Sequence, residues 1–168
     1  MQLLKIYYAY FSPGNTTEKV VSHIASSFQN YPVESINLTD YATRQEDYYF
    51  KENELLIIGV PAYGGRVPAP VVDALRHFTG SNTPVVLVAT YGNRDTDDTL
   101  IELKKNVIDK GFIPVSAASF VCQHTFLKEC AEGRPDEEDL KMAREFGDKL
   151  KERLRLLVTY DAGDLEVP

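Results

Sequence analysis

The chain reads as an α/β protein: three layers, with a doubly wound parallel sheet of five strands in the order 2-1-3-4-5. Three observations predict this. Five apolar or β-branched runs have strand length: Leu3–Tyr10, Val33–Leu38, Leu55–Val60, Val85–Tyr91 and Ile113–Cys122. Most are continuously apolar rather than alternating, as suits strands covered on both faces. Helical patterns separate consecutive runs, and alternating β and α elements with right-handed crossovers form an open parallel sheet.

The elements follow in order. The first strand leads into Ser12-Pro13-Gly14-Asn15, and a helix starts near Thr16 with Val20, Val21, Ile24, Ala25 and Phe28 on one face. After the second strand, Thr39–Asn53 is rich in tyrosine and charge and has room for one short helix that no periodicity locates. The third strand is followed by Pro68 and Pro70, residues that fit a first helical turn, and then by Val71, Val72, Leu75 and Phe78 on a common face. Asp95–Lys110 opens with Asp95, Asp97 and Asp98 and closes with Lys104, Lys105 and Lys110 before Gly111. That charge order complements a helix dipole, and Gly111 is a natural stop. The last helix, from Asp136 to about Leu157, sets Leu140, Ala143, Phe146, Leu150, Leu154 and Leu157 on one stripe.

At 168 residues the expectation is one domain over 1–168, with an acidic tail at 158–168. A net charge of −7 argues against nucleic acid and against an anionic membrane surface. No apolar run approaches the ~20 residues of a membrane span, and the amino terminus does not read as a signal peptide. Cys122 and Cys130 form no C-x-x-C pair, so neither an iron–sulfur cluster nor structural zinc is expected; they read as a core thiol and a free surface thiol. The expected location is cytoplasmic.

Three loops carry the chemistry. Ser12-Pro13-Gly14-Asn15-Thr16-Thr17 precedes a helix start, where amides lack partners and the dipole is positive, so it is a phosphate site. No Lys or Arg lies between Phe11 and Thr17, so an anion held there is held by amides and hydroxyls. Pro61-Ala62-Tyr63-Gly64-Gly65-Arg66 follows the third strand, and Thr90-Tyr91-Gly92-Asn93-Arg94 follows the fourth. Their glycines let a ligand come close to the backbone, and their tyrosines supply flat surfaces. The strand order sets the first two loops side by side at the switch point where such sheets bind ligands. A flat, phosphorylated ligand such as FMN meets these requirements. Arg66 and Arg94 read equally well as partners of surface carboxylates, Asp97 and Asp98 as servants of the helix start, and His124 as a surface histidine or a neighbour of the ring.

The order, spacing and loop types resemble flavodoxin. The wording PAYGGRVPAP and TYGNRDTDDTL, followed by GF and a late FVCQHTF, is more similar to the flavodoxin-type domain of ferredoxin-containing flavodoxin fusions. The resemblance implies non-covalent FMN, with its phosphate on Ser12, Gly14, Asn15, Thr16 and Thr17 and its isoalloxazine between Pro61–Arg66 and Thr90–Arg94. Pro13, Asp97 and His124 complete the candidate set. It also implies electron transfer between redox proteins of ferredoxin or reductase type, by a monomer or weak dimer. Two features depart from the pattern. Gly14-Asn15 stands where family members usually carry Thr-Gly, although Asn tolerates the left-handed conformation; and no cysteine-rich ferredoxin part is present. An FMN-dependent NAD(P)H reductase acting on quinones, nitro compounds or metal chelates would use the same loops. A phosphoryl-accepting receiver is disfavoured, because Phe11-Ser12 and Val60-Pro61 stand where its carboxylates belong.

Overall fold

A computed structural model describes residues 3–156 and 165–167. Its strands are β1 (Lys5–Tyr10), β2 (Val33–Asn37), β3 (Tyr48–Phe50), β4 (Glu54–Pro61), β5 (Phe78–Gly80), β6 (Thr83–Tyr91) and β7 (Phe112–Val121). Its α-helices are α1 (Thr16–Ala25), α2 (Ala69–Ala74), α3 (Thr99–Ile108) and α4 (Glu137–Leu156). Five strands form one sheet in the order β2-β1-β4-β6-β7, and every pairing in it is parallel. The expected string of five strands needs one amendment. The short strands β3 and β5 intervene along the chain and pair with each other in a separate ribbon.

The centre of the sheet is dictated by composition. In β4 and β6 every residue but the last is buried, so their apolar side chains serve both faces. Leu55, Ile57, Val86 and Val88 pack under α1 and α4 with Val20, Ile24 and Leu150. Leu56, Ile58, Leu87 and Ala89 face the other way, toward Val71, Leu100 and Leu103 of α2 and α3. At the β2 edge only Ile36 is buried. At the other edge the β6–β7 register slips between Val85 and Val86, which pair with Pro114 and Ser116. Pro114 has no N–H for the ladder, and a slip beside it is where a strand tolerates proline.

Three elements differ from the sequence reading. Phe78 does not continue the second helix. That helix ends at Ala74, passes into a 3₁₀ turn over Leu75–His77, and Phe78 begins β5. The pull is tertiary: the Phe78 ring lies 5.3 Å from Phe50 and 5.1 Å from Tyr48, in an aromatic cluster that Phe112 joins. The uncertain stretch Thr39–Asn53 holds a 3₁₀ turn, Thr43–Gln45, and β3. The third helix begins at Thr99, since Asp95–Asp98 form a turn before it. Leu157, which was expected to extend the last helix, and positions 158–164 and 168 of the expected tail lie outside the described residues. Within that tail, the Leu165 carbonyl accepts a bond from Lys104 on α3 (2.5 Å).

Candidate functional site

A parallel sheet delivers the carboxyl ends of its strands to one edge, and four loops meet there, after β1, β4, β6 and β7. They enclose a cleft of about 240 Å³ walled by Pro61, Ala62, Tyr63, Thr90, Tyr91 and Gly92 and closed by residues 123–126. A second, more polar cleft of about 360 Å³ runs from it over Pro13 and Gly14. Thr16, Gln123, His124 and Thr125 border both.

The first loop is organised around the start of α1. Asn15 adopts a left-handed conformation (φ 60), and its N–H donates to the Ser12 carbonyl (3.0 Å). The Ser12 hydroxyl accepts the N–H of Glu18 (3.0 Å), and the Ser12 N–H donates to Thr39 Oγ1 (2.8 Å). Ser12 is therefore a buried cap of the helix. Among the described residues no protein group accepts the N–H of Thr16 or Thr17, so two amides of the first turn lack a partner, and Thr16 borders the polar cleft. The two threonine side chains divide. Thr16 borders both clefts, whereas the Thr17 hydroxyl points inward to Thr90 Oγ1 (2.8 Å), with both residues almost fully buried (1% and 2% exposed).

The loop after β4 is a tight reversal. Tyr63 and Arg66 exchange N–H···O bonds of 3.1 and 3.2 Å across Gly64 (φ 58) and Gly65 (φ 74). Positive φ at both central positions defines a type I′ turn, which two glycines adopt without strain. The Tyr63 ring is thereby fixed at the cleft wall, edge-on to Phe11 at 6.4 Å. Arg66 turns away from the cleft and forks onto Glu102 of α3 with two bonds of 3.0 Å. The Val67 N–H also donates to Glu102 (2.9 Å). The Arg66 guanidinium, with help from that N–H, holds the Glu102 carboxyl below the usual carboxylate range.

After β6, the Ala62 N–H donates to the Thr90 carbonyl (2.8 Å) and locks two cleft walls together. Arg94 pairs with Asp97, and the Asp97 side chain packs against Gly65. Of the sequence-derived candidates, Pro13, Gly14, Thr16, Pro61, Ala62, Tyr63, Gly64, Thr90, Tyr91, Gly92 and His124 converge on the clefts. Ser12, Asn15, Thr17, Gly65, Arg66, Asn93, Arg94 and Asp97 do not border them; the interactions above explain why for all but Asn93, which is exposed in a left-handed turn (φ 62).

The fourth wall was largely missed. Gln123, Thr125, Phe126 and Lys128, from the loop between β7 and α4, border the clefts beside His124. A topological signal was present, since this segment directly follows the last strand and must leave from the same sheet edge. Its anchor is a buried carboxylate: the Asp139 side chain (3% exposed) pairs with Arg134 and accepts the Asp136 N–H (2.9 Å). Asp136 Oδ1 returns the bond from the Asp139 N–H (3.0 Å), a reciprocal cap on α4. The Arg134 guanidinium, followed by that N–H, holds the Asp139 carboxyl below its ordinary range. Burial pushes the Cys122 thiol up to about 12, as expected of a core thiol. Cys130 is a free thiol as expected but half-buried, and its Sγ donates to the Gly92 carbonyl (3.2 Å).

No protein-family model matches the chain, and no curated protein matches it. Solved structures do match in fold. A flavodoxin from the domain Archaea superposes with a TM-score of 0.62 at 13% identity, over 90% of this chain and 99% of that one. Flavodoxin 2 from Bacillus cereus gives 0.60 at 16% identity, over 89% and 99%. A WrbA-like flavodoxin protein from Agrobacterium tumefaciens gives 0.60 at 15%, over 90% and 98%. The fold is flavodoxin-like. Among the described residues no helix is long and apolar enough to cross a membrane, and no cluster of three metal-ligating side chains occurs.

Proposed function

We propose that this chain is a flavodoxin-like flavoprotein that holds FMN non-covalently and carries electrons between redox protein partners. One observation carries the reading: a polar cleft at the start of α1 shares its walls Thr16, Gln123, His124 and Thr125 with a cleft walled by Tyr63 and Tyr91, at the edge where open α/β sheets bind ligands. The clefts together fall within the ~300–1,000 Å³ of small-molecule sites. Naming of fold neighbours as flavodoxins supports the same cofactor.

The residues fit the group end by end. The Thr16 and Thr17 amides and the Thr16 hydroxyl would hold the phosphate, with the α1 dipole favouring the anion. Ser12 acts indirectly, by capping α1 and fixing where those amides point. Tyr63, Tyr91 and the backbone of Pro61, Ala62 and Gly92 would receive the flat ring. When bound, FMN supplies the redox chemistry at that ring. The protein contributes orientation and local charge. Arg66 and Arg94 are engaged by Glu102 and Asp97, so neither brings an uncompensated positive charge to the ring.

An acidic chain (net −7) favours partners with basic docking faces. The loop wording favours kinship with the flavodoxin-type domain of ferredoxin fusions, and thus a partner of ferredoxin or reductase type met in the cytoplasm by a monomer or weak dimer. Titration of the protein with FMN, followed by NAD(P)H, tests the reading. Retention of FMN, with absorbance bands near roughly 370 and 450 nm and no NAD(P)H oxidation until a reductase is added, is the expected result. Steady NAD(P)H oxidation with a quinone or nitro acceptor would favour the reductase; a colourless protein at saturating FMN would end both readings.

A further inference from the structure

We infer that the loop between β7 and α4 grips the ligand at both ends: Phe126 covers the flat ring, and Lys128 sets a positive charge against the phosphate. The inference rests on the FMN reading and adds two residues to it.

The loop is built to hold side chains in place. The N–H groups of Gln123, His124 and Cys130 donate to the carbonyls of Arg134, Cys130 and Leu127 at 2.9, 3.0 and 2.8 Å. Gln123 Nε2 donates to the Lys128 carbonyl (2.9 Å), closing residues 123–128 on themselves. His124 is the hub. Its Nδ1 accepts the N–H groups of Phe126 (3.1 Å) and Leu127 (3.0 Å), so the neutral ring carries its proton on Nε2. The opposite ring edge lies on Gly92, where an added Cβ would fall 2.5 Å from His124 Cδ2. A side chain on the β6 loop would thus displace the hub.

From this closed turn two side chains part. Of these two clefts, Phe126 borders that of Tyr63 and Tyr91, and Lys128 borders that of Pro13 and Gly14. A ligand spanning both therefore meets an aromatic ring at one end and an ammonium at the other. Phe126 is 84% exposed, its ring 6.3 Å from that of His124. So large an apolar face beside a cleft is surface that a flat ligand would remove from water. Lys128 is absent from the ion pairs among the described residues, although Glu129 and Glu132 lie close in sequence. It also supplies what the first loop lacks, since no cation lies between Phe11 and Thr17.

The two ends have separable signatures. Dissociation constants for FMN and riboflavin are measured by flavin fluorescence at low and at physiological salt, for the wild type, Phe126→Ala, Lys128→Gln and Lys128→Arg. Thermal melts confirm that the exposed substitutions leave the fold intact. Lys128→Gln is expected to weaken FMN about tenfold, the scale of one charge-assisted contact, and to leave riboflavin unchanged. It should also flatten the salt dependence of FMN binding, and Lys128→Arg should restore both. Phe126→Ala is expected to weaken both ligands equally, again about tenfold. An unchanged ratio of FMN to riboflavin affinity in Lys128→Gln, or unchanged affinities in Phe126→Ala, overturns the two-ended grip. Wild-type protein that binds neither flavin brings down the FMN reading itself. Wild type that binds both while the variants match it brings down this inference alone.

Discussion

Between β1 and α1 the chain turns over residues 11–15; between β7 and α4 it wanders over 122–136, and both segments wall the same cleft. The first turn is held by its own neighbours: Ser12 bonds to Asn15 and Glu18, and Asn15 supplies the left-handed residue. The second combines turns closed within itself with longer-range ties. Arg134 joins the loop to Asp139 on α4, Cys130 reaches Gly92 on the β6 loop, and His124 rests on the same glycine. The first turn has one distant tie, from the Ser12 N–H to Thr39 Oγ1 (2.8 Å). Two of the long loop's ties, those of Cys130 and His124 to Gly92, exist only after the sheet has assembled, so it should be the easier of the two to undo by a substitution elsewhere.

Asp139→Ala breaks this contrast most forcefully. It removes the partner of Arg134 and one half of the reciprocal cap on α4, and should cost about 3 kcal/mol. A melt lowered by about 6–12 °C follows for a chain of this size. Affinity for FMN and riboflavin should fall together, because the last loop borders both clefts. Loss of stability with flavin binding intact would show that the loop keeps its shape without its anchor.

Gly92→Ala probes the same loop from the β6 side. The added Cβ collides with the His124 ring, and relief by displacement should cost about 1–3 kcal/mol and weaken both flavins. Within the first turn, the paired threonines sharpen the contrast. Thr17→Val leaves the buried Thr90 hydroxyl unpaired and should cost about 1–2 kcal/mol in urea unfolding, with the FMN-to-riboflavin ratio preserved. Thr16→Ala should do the reverse: little change in stability, and a selective loss of FMN.

Acid supplies a subtler test. The folded protein holds Asp139 and Glu102 below the ordinary carboxylate range, so the stability they contribute is complete above about pH 4 and is lost as pH falls through their lowered values. Asp139→Asn should therefore flatten the acid limb of a stability–pH curve more than Asp40→Asn, whose exposed carboxylate is held only by Thr43 of its own loop. The smallest effect is expected from Arg94→Gln, an exposed pair worth at most about 1 kcal/mol, with no change in flavin affinity.

Three of the four cleft walls could be read before the fold was known, for a local reason. Strand, glycine-containing turn and helix start are adjacent in sequence, so Ser12–Thr17, Tyr63–Arg66 and Thr90–Arg94 announce themselves through turn chemistry and apolar runs. The direction of individual side chains could not be read that way. Thr16 and Thr17 are neighbours of one type, and only the packing of α1 on β4 and β6 sets Thr16 at the cleft and turns the Thr17 hydroxyl toward Thr90. Arg66 depended likewise on where Glu102 came to lie, whereas Arg94 meets Asp97 within its own turn. Phe78 left its helix for β5 because an aromatic cluster assembled from distant segments outweighed a helical pattern that was weak at its end.

The sequence by itself determined the alternation of strands and helices, the two fully buried central strands and the edge at which their loops gather, since apolar periodicity and turn residues act over short distances. Tertiary structure alone decided the β3–β5 ribbon, the inward turn of Thr17, the pairing of Arg66 with Glu102 and the fourth wall with Phe126 and Lys128. Those features depend on pairs of residues far apart along the chain, and no local pattern specifies which distant partner a side chain will meet.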